Sequence, residues 1–331
     1  HPKANTPEQQ AVFDKIVSGN LQTPYTWETQ LSELGQKQFA SKEEKDAVAK
    51  ALWEELIDSG KLGYMALLRN LRNILQVKVS PAHIEKVASI ISDPEKVAKS
   101  KQLPFRFLAA YKELMVVKSS HTSLILSALE DAVKASVVSL QGFGIDTDVL
   151  VAADVSGSMF QSVSAKSSVM LYDIGILLSM LLKSKCSSVI SGMFGDSWKV
   201  LNLPQENILA NTIEMKRREG EVGYSTNGYK VIDYLVDNNL KMDKVMMFTD
   251  MQMWDSSYRD KHIQKSWAKY KQMYPDARLY LFDLNGYGQA PVRLVGDDVT
   301  LISGWSDKVF EVLNAVEKGA EVLDLIKNIE I

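Results

Sequence analysis

The stretch that most constrains the fold is Asp148-Val-Leu-Val-Ala-Ala-Asp-Val-Ser-Gly-Ser-Met159. Its apolar run, 149–153, shows no alternation, which is typical of a strand buried on both faces in a parallel sheet covered by helices. Asp154, Ser156 and Ser158 follow just past the carboxyl end of that strand. Ligands bind at this edge of open α/β sheets, and oxygen-bearing side chains at alternate positions suit a hard cation such as Mg²⁺. Capping of the next helix is the alternative, since Asp and Ser are common at helix starts.

Two later segments offer oxygen ligands of the same kind. Thr226 lies in the loop Gly223-Tyr-Ser-Thr-Asn-Gly228, and Asp250 ends a second apolar strand, Lys244-Val-Met-Met-Phe-Thr-Asp250. Together with Asp-x-Ser-x-Ser, these segments resemble the metal-ion-dependent adhesion site of von Willebrand factor A domains. The resemblance implies that a partner protein can supply a carboxylate as a last ligand. It also implies that one Mg²⁺ or Mn²⁺ is bound by Asp154, Ser156, Ser158, Thr226 and Asp250.

Length and charge limit the class of protein. A chain of 331 residues favours two domains. It has no apolar run near the ~20 residues of a membrane span and no signal peptide, and its single cysteine, Cys186, cannot form an internal disulfide. We therefore expect a cytoplasmic protein without a membrane partner. The net charge is only −3, but residues 60–120 carry eleven Lys and Arg against four acids, a segment that can attract a polyanion.

Residues 1–143 contain almost no strand pattern and many helix-start signals. An apolar-periodic stretch at 119–140 predicts the last helix of this region. Seven or eight helices joined by short turns indicate stacked helical hairpins of the HEAT type. Earlier helix starts are predicted at Thr6-Pro7, the capping box Ser41-Lys-Glu-Glu44, Ser80-Pro81, Asp93-Pro94 and Leu103-Pro104.

Residues 144–331 alternate strands with helices, so we predict a doubly wound, mostly parallel sheet of the α/β class. The domain boundary is predicted in the glycine hinge Gln141-Gly-Phe-Gly-Ile145. The predicted strands are 149–153, 188–194, 198–203 at an edge, 245–248, 278–283 and 299–303. The predicted helices are 164–183, 207–213, 229–240, 257–274 and 307–318, with a charged loop at 216–220.

The most distinctive helical segment is Leu62-Gly-Tyr-Met-Ala-Leu-Leu-Arg-Asn-Leu-Arg-Asn-Ile-Leu75. Its apolar residues repeat at i, i+3, i+4 and i+7, which predicts a core-facing stripe. The opposite face, where plain solvation is the alternative to a binding role, carries Arg69, Asn70, Arg72 and Asn73. Together with Tyr25-Thr-Trp-Glu28 and Leu103-Pro-Phe-Arg-Phe-Leu108, the segment resembles the later part of the TROVE domain. That is the RNA-binding helical-repeat domain of the Ro autoantigen family, in which a von Willebrand factor A domain follows it.

This resemblance covers nearly the whole chain and implies that the protein binds non-coding RNA. Members of the family hold single-stranded 3′ ends of misfolded RNAs in the hole of a helical ring, and Y RNAs on its outer surface. Residues 1–143 are a shorter helical region than theirs. We expect an RNA-binding scaffold of RNA quality control or processing, without a DNA partner. The predicted RNA contacts are Arg69, Arg72, Lys86, Lys99, Lys101 and Arg106.

No catalytic motif accompanies these features. The sequence contains no phosphate-binding P-loop, nucleophile elbow, H-E-x-x-H or C-x-x-C, and its four His residues have no mutual spacing that predicts a cluster. A metal-bound water could act as a nucleophile, with Asp255 as the nearest candidate base. We predict a binding protein rather than an enzyme. The alternative function is a metal-dependent protein-interaction module that does not bind RNA.

Overall fold

The computed structural model describes residues 3–21, 23–136, 147–165, 167–186, 188–251, 262–286 and 298–304. Described residues before 137 form helices and no strand, and those from 147 form a sheet with helices, so the predicted fold class is confirmed. The predicted hinge 141–145, the predicted helix 307–318 and Asp255 lie outside the described residues. None of the described helices is long and apolar enough to cross a membrane.

Several helices of the helical domain begin at the predicted capping residues. Thr6, Ser41, Ser80 and Asp93 each accept a backbone N–H bond from the first turn, because a helix leaves its first N–H groups without an internal partner. The helices in the described part of this domain are α1 (Pro7–Val17), α2 (Trp27–Gln36), α3 (Lys42–Asp58), α4 (Tyr64–Gln76), α5 (Pro81–Ser92), α6 (Pro94–Ser100), α7 (Pro104–Leu114) and α8 (Thr122–Ser136).

Helix α8 lies at the centre of the helical domain and packs against α5, α6 and α7, while α4 packs against α5 and α7. The apolar stripe of α4 is buried from Leu67 to Leu75, as its periodicity predicts. One prediction for α4 is wrong, because Asn70 is buried rather than exposed. Its Nδ2 donates to the Ala66 carbonyl at 2.9 Å, and its Oδ1 accepts from Asn73 Nδ2 at 2.9 Å. A polar side chain at a buried position must be hydrogen-bonded, and these two contacts achieve that.

The sheet has the order β3-β2-β1-β4-β5-β6, and every neighbouring pair is parallel except the edge pair β2–β3. Odd-numbered residues of β1 pack on one face and even-numbered residues on the other, so both faces are buried. The strands are β1 (Asp148–Asp154), β2 (Ser188–Phe194), β3 (Trp198–Val200), β4 (Lys244–Thr249), β5 (Arg278–Asp283) and β6 (Val299–Ser303). The helices of this domain are α9 (Leu171–Lys185), α10 (Ile208–Arg217), α11 (Tyr229–Asp237) and α12 (Ile263–Met273).

Several boundaries differ from the predicted ones. Helix α9 begins at Leu171 and not at residue 164, because Asp173 Oδ2 accepts the Met170 N–H at 2.9 Å and so caps the helix there. The preceding residues form a short hairpin in which Ser162 pairs with Met170. Helix α10 continues to Arg217, so part of the predicted charged loop is helical. These boundaries follow from contacts that apolar periodicity does not encode.

The two domains share one apolar core and two buried polar contacts. Lys112 of α7 donates from Nζ to Asp173 Oδ2 at 2.7 Å, and Asp173 is fully buried. Glu130 of α8 accepts the N–H groups of Leu209 and Ala210 at 3.1 and 2.8 Å, and so caps α10 from the other domain. Burial raises the pKa of Glu130, and the two N–H bonds act in the opposite direction. These contacts fix how α7 and α8 lie on α9 and α10.

Replacement of Lys112 with Met tests the buried contact, because it keeps the side-chain length and removes the charge facing Asp173. A carboxylate left buried without its cation costs about 3 kcal/mol, so we expect the free energy of unfolding of the full chain to fall by that order in urea denaturation. Lys86→Met is the matched control, since Lys86 pairs with an exposed Asp58 and its loss should shift the midpoint little. Equal shifts in the two variants would contradict the assignment.

Candidate functional site

The predicted ligands Asp154 and Asp250 emerge side by side at the carboxyl edge of the sheet. Strands β1 and β4 are parallel neighbours with Ala153 opposite Phe248, so their last residues reach the same edge. Both carboxylates are fully buried. Two adjacent buried carboxylates repel each other and lose their hydration, so this edge favours a bound cation.

Asp154 is held by hydrogen bonds to both of its carboxylate oxygens. Its Oδ1 accepts the Ser156 N–H at 2.8 Å, and its Oδ2 accepts the Thr249 hydroxyl at 2.6 Å. Burial raises the pKa of Asp154 to about 7, with a smaller contribution in the same direction from Asp250, while the bonds from Ser156 and Thr249 lower it. Sequence reasoning missed Thr249, whose role depends on the pairing of β1 with β4.

Thr226 is positioned by tight packing of its loop on the β2–β3 turn. The Asn227 N–H donates to the Gly195 carbonyl at 3.0 Å, and Asp196 Oδ1 accepts the Ser225 N–H at 2.8 Å. A Cβ at Gly195 would collide with the Gly223 carbonyl, so glycine is required for this approach. The loop also contacts the turn that follows Asp154, because the Gly157 N–H donates to the carbonyl of Tyr224, a residue of the same loop as Thr226, at 3.0 Å. Thr226 therefore lies on a loop joined directly to the Asp154 turn.

The donor set fits Mg²⁺ better than a softer metal. Ser156 Oγ and Ser158 Oγ are 3.2 Å apart, close to the roughly 3 Å expected between adjacent oxygens of an octahedron with bonds of about 2.1 Å. The described residues contain no cluster of three or more His, Cys, Asp or Glu. Hydroxyls and two carboxylates are thus the ligands that this edge offers, and hard cations prefer such oxygens.

A hairpin leads from the turn that follows Asp154 to the helical domain. The Leu171 N–H donates to the Gln161 carbonyl at 2.9 Å, and the Val163 N–H donates to the Val169 carbonyl at 3.0 Å. At its base, Phe160 lies against Tyr172 at a ring distance of 4.9 Å. The tip, formed by residues 163–165 and 167–168, reaches α7, where Lys112 Nζ donates to the Ser168 carbonyl at 3.1 Å. The two ends of this hairpin thus touch the predicted metal site and the helical domain.

Three connected cavities of about 430, 390 and 640 Å³ form a furrow across the helical domain. The first and second share Gly63, Tyr64 and Ser100, and the second and third share Met65, Arg69 and Gln102. The third cavity ends against the tip of the hairpin, at Val163, Ser164, Ser167 and Ser168. The furrow is defined here by side chains with cationic or aromatic groups: Lys96, Lys99, Tyr64, Trp27, Arg69, Phe105 and Arg106.

The furrow brings together three of the predicted RNA contacts, Arg69, Lys99 and Arg106. The other three do not line it: Arg72 is exposed elsewhere on α4, Lys101 is exposed after α6, and Lys86 pairs with Asp58 at 2.9 Å. Sequence reasoning missed Trp27 and Lys96, which α2 and α6 bring to the furrow. Their approach depends on helix packing rather than on local sequence, and Lys96 was identified only as part of the basic segment.

The cations of the furrow differ in how they are paired. Lys99 forms an exposed ion pair with Glu95 at 3.7 Å, and Lys96 forms one with Asp93 at 3.5 Å. Across the described ranges no acidic side chain forms an ion pair with Arg69 or Arg106. Both guanidinium groups are therefore available to an anionic ligand.

Comparisons with known proteins give matches to the helical domain in sequence and to both domains in fold. The family model of the TROVE domain matches residues 10–127. Telomerase protein component 1 of Rattus norvegicus is 43% identical over 94 residues, and that of Mus musculus is 42% identical over 94 residues. Each match covers 28% of this chain and 3% of the relative, so the chain spans a small part of those proteins.

A solved structure extends the similarity to the second domain. The crystal structure of the Deinococcus radiodurans Ro (RSR) protein aligns with a TM-score of 0.57 over 97% of this chain and 69% of that chain. The sequence identity is 19%, so this comparison shows a shared fold.

Replacement of Gly195 with Ala tests the packing that positions Thr226. The added methyl group must displace the loop at Gly223, and we expect a loss of about 1–3 kcal/mol in the free energy of unfolding, measured by thermal denaturation. Gly35→Ala is the control, because the structure offers open space there and Ala favours the helix that contains it. A Gly195 variant that melts as high as wild type would show that the loop is not held in this way.

Proposed function

We propose that the chain is an RNA-binding scaffold that carries non-coding RNA on its helical domain. The match of residues 10–127 to the TROVE domain and the fold shared with the Ro (RSR) protein support this proposal. Misfolded RNAs with single-stranded 3′ ends, or Y RNA-like molecules, are the proposed ligands, and RNA quality control or processing is the proposed process. DNA is not a proposed ligand. The α/β domain is proposed to hold one Mg²⁺ or Mn²⁺, and no catalytic step is assigned to either domain.

The observation that supports RNA binding most strongly is the content of the furrow. Arg69 lies at its centre, where two of the three cavities meet, and Arg106 and Lys99 lie toward its two ends. Guanidinium groups bind phosphates in a bidentate manner. Trp27 and Phe105 are half-buried in the same furrow, and aromatic rings beside cations are how proteins bind unpaired bases.

A single strand fits this furrow better than a duplex. Sequence-tolerant binding of single strands combines a positive groove with aromatic stacking platforms, and unpaired bases can reach rings such as Trp27 and Phe105. The bases of a duplex are stacked on each other and cannot. We therefore place the single-stranded part of the RNA in the furrow, and the basic surface outside it, including Arg72 and Lys101, is available to other parts of the molecule.

The proposed metal ligands are Asp154, Ser156, Ser158, Thr226 and Asp250. A divalent ion at this edge would compensate the two buried carboxylates, and its open position would accept a carboxylate from a partner protein. This supports a second candidate function, a metal-dependent protein-interaction module. The specific observation is that Phe160 and Tyr224, in contact at a ring distance of 5.8 Å, are 38% and 54% exposed beside the turn that follows Asp154.

Replacement of Arg69 with Gln tests RNA binding. The variant removes one guanidinium from the centre of the furrow, so the affinity for a structured RNA with a single-stranded 3′ tail should fall. The slope of log affinity against log salt should shrink by about 0.7, one phosphate's worth on a single strand. Arg72→Gln makes the same change on the same helix outside the furrow, so it is the comparison variant and should weaken binding less than Arg69→Gln. Anisotropy titrations at several salt concentrations provide the measurement.

Two outcomes would contradict this assignment. A stronger loss in the Arg72 variant than in the Arg69 variant would place the RNA path on another face of α4. Wild-type protein that binds no RNA even at low salt would remove the RNA function and leave the metal-dependent protein-interaction module.

Replacement of Asp154 with Asn tests the metal site. The substitution keeps the shape and removes one of the two carboxylates, so calorimetric titration of Mg²⁺ into the full chain should show no binding. Asp276→Asn is the control, since Asp276 is exposed just before β5, at the opposite edge of the sheet. Equal Mg²⁺ binding by both variants would contradict the ligand assignment.

A further inference from the structure

We propose that the largest cavity of the furrow, about 640 Å³ between the two domains, is a subsite for one ribonucleotide that selects RNA over single-stranded DNA. The inference rests on the proposed RNA-binding function and goes further, because it names the sugar as the group that is read. Four kinds of side chain line the cavity. Cations, an aromatic ring and a carboxylate come from the helical domain, and hydroxyls come from the α/β domain.

The cations hold the phosphate. Arg69 of α4 and Arg106 of α7 both line this cavity, and neither forms an ion pair within the described ranges. Two guanidinium groups on different helices can approach one phosphate from two sides, which fixes its position as well as its charge. Phosphate contacts position a nucleic acid but do not distinguish one sugar from another.

The ring provides a place for the base. Phe105 is half-buried in the wall of the cavity, with the Arg106 guanidinium 5.1 Å from the ring centroid. A base can stack on such a ring and its neighbouring guanidinium without being read in detail. The stacking therefore orients the nucleotide and brings its ribose toward the remaining part of the cavity.

Glu113 gives the cavity its preference for ribose. It lies on the same face of α7 as Arg106, about 10 Å along the axis for seven residues, and it lines the cavity with an exposed carboxylate. A carboxylate accepts hydrogen bonds and repels phosphate. In a cavity that also holds two arginines, it therefore weakens unselective binding of anions. A 2′-hydroxyl can donate to it, and this hydroxyl is the group that DNA lacks.

Two serines of the hairpin join the subsite to the second domain. The exposed side chains of Ser164 and Ser168 line the cavity from the tip of the hairpin. That tip is held in place by Lys112, which donates to the Ser168 carbonyl at 3.1 Å and to the buried Asp173 at 2.7 Å. Hydroxyls in fixed positions can donate to a phosphate oxygen. The nucleotide in this cavity thus contacts both domains at once.

The test compares labelled single-stranded RNA and DNA of one sequence, titrated into the full chain by fluorescence anisotropy. In Glu113→Ala the ratio of RNA to DNA affinity should fall about tenfold, as expected for loss of a hydrogen bond to a charged group. Affinity for DNA should stay equal or rise, because a like charge is removed. Glu85→Ala, an exposed carboxylate of α5 outside the furrow, is the matched control and should leave the ratio unchanged.

Two further variants test the rest of the subsite. Arg106→Gln should weaken the binding of RNA and of DNA to a similar degree and lower the slope of log affinity against log salt. The double variant Ser164→Ala, Ser168→Ala should weaken the binding of both a few-fold. Circular-dichroism melts confirm that each variant is folded. A peptide of ten glutamates, which offers carboxylates without ribose or base, should not displace the RNA.

The outcomes separate the subsite from the general function. Wild type that binds neither oligonucleotide contradicts the RNA-binding function itself. Wild type that binds RNA and DNA equally, or a ratio that is unchanged in the Glu113 variant, contradicts the ribose preference of the subsite alone. Affinities that are unchanged in the Arg106 variant contradict its phosphate contact. Displacement of RNA by the acidic peptide would show a general anion site and would also overturn the proposal.

Discussion

The buried contact between Lys112 and Asp173 is the interaction on which the rest of the molecule depends. The Asp173 carboxylate ends the hairpin and begins α9 by accepting the Met170 N–H, and it holds the ammonium group that comes from the other domain. The same ammonium group fixes the tip of the hairpin through Ser168. One carboxylate thus sets a helix start, a loop position and the contact between domains. A buried charge without its partner is costly, so these three features are energetically linked.

The hairpin gives the two candidate sites a common support. The base of the hairpin follows the turn after Asp154, and there Phe160 contacts both Tyr172 and Tyr224. The tip of the hairpin forms one wall of the furrow. The Tyr224 carbonyl in turn accepts the Gly157 N–H. A cation at Asp154 and a nucleotide at the tip would therefore bind to the two ends of one short, hydrogen-bonded element. Any influence of one ligand on the affinity of the other must be reciprocal.

Much of the fold could be predicted because apolar runs and capping residues report local structure. The strand ending in Asp154 and the strand ending in Asp250 could be recognised as buried, and their carboxylates could be placed at one edge because parallel strands end together. Thr249 could not be assigned, since its bond to Asp154 depends on which strands pair. Asn70 was predicted to be exposed because helical periodicity places it opposite the stripe, yet it is buried and hydrogen-bonded to Ala66 and Asn73 of the same helix.

The lining of the furrow is a second case in which local sequence does not predict which residues come together. Arg69 and Arg106 could be identified from charge and resemblance, but Trp27 joins them only because the start of α2 lines the same cavity as α4. Local sequence does not encode that approach. The match of residues 10–127 to the TROVE domain supports RNA as the proposed ligand of the furrow, and the lining of the furrow supports the proposed position of the RNA strand.

The most direct test of the central claim is ultraviolet crosslinking of a single-stranded RNA to the wild-type full chain, followed by mass spectrometry of the crosslinked peptides. If RNA lies in the furrow, crosslinks should form at Trp27 and Phe105, the rings that line it. These crosslinks should disappear when salt is raised enough to abolish binding. Crosslinks confined to the α/β domain, or to helices away from the furrow, would contradict it.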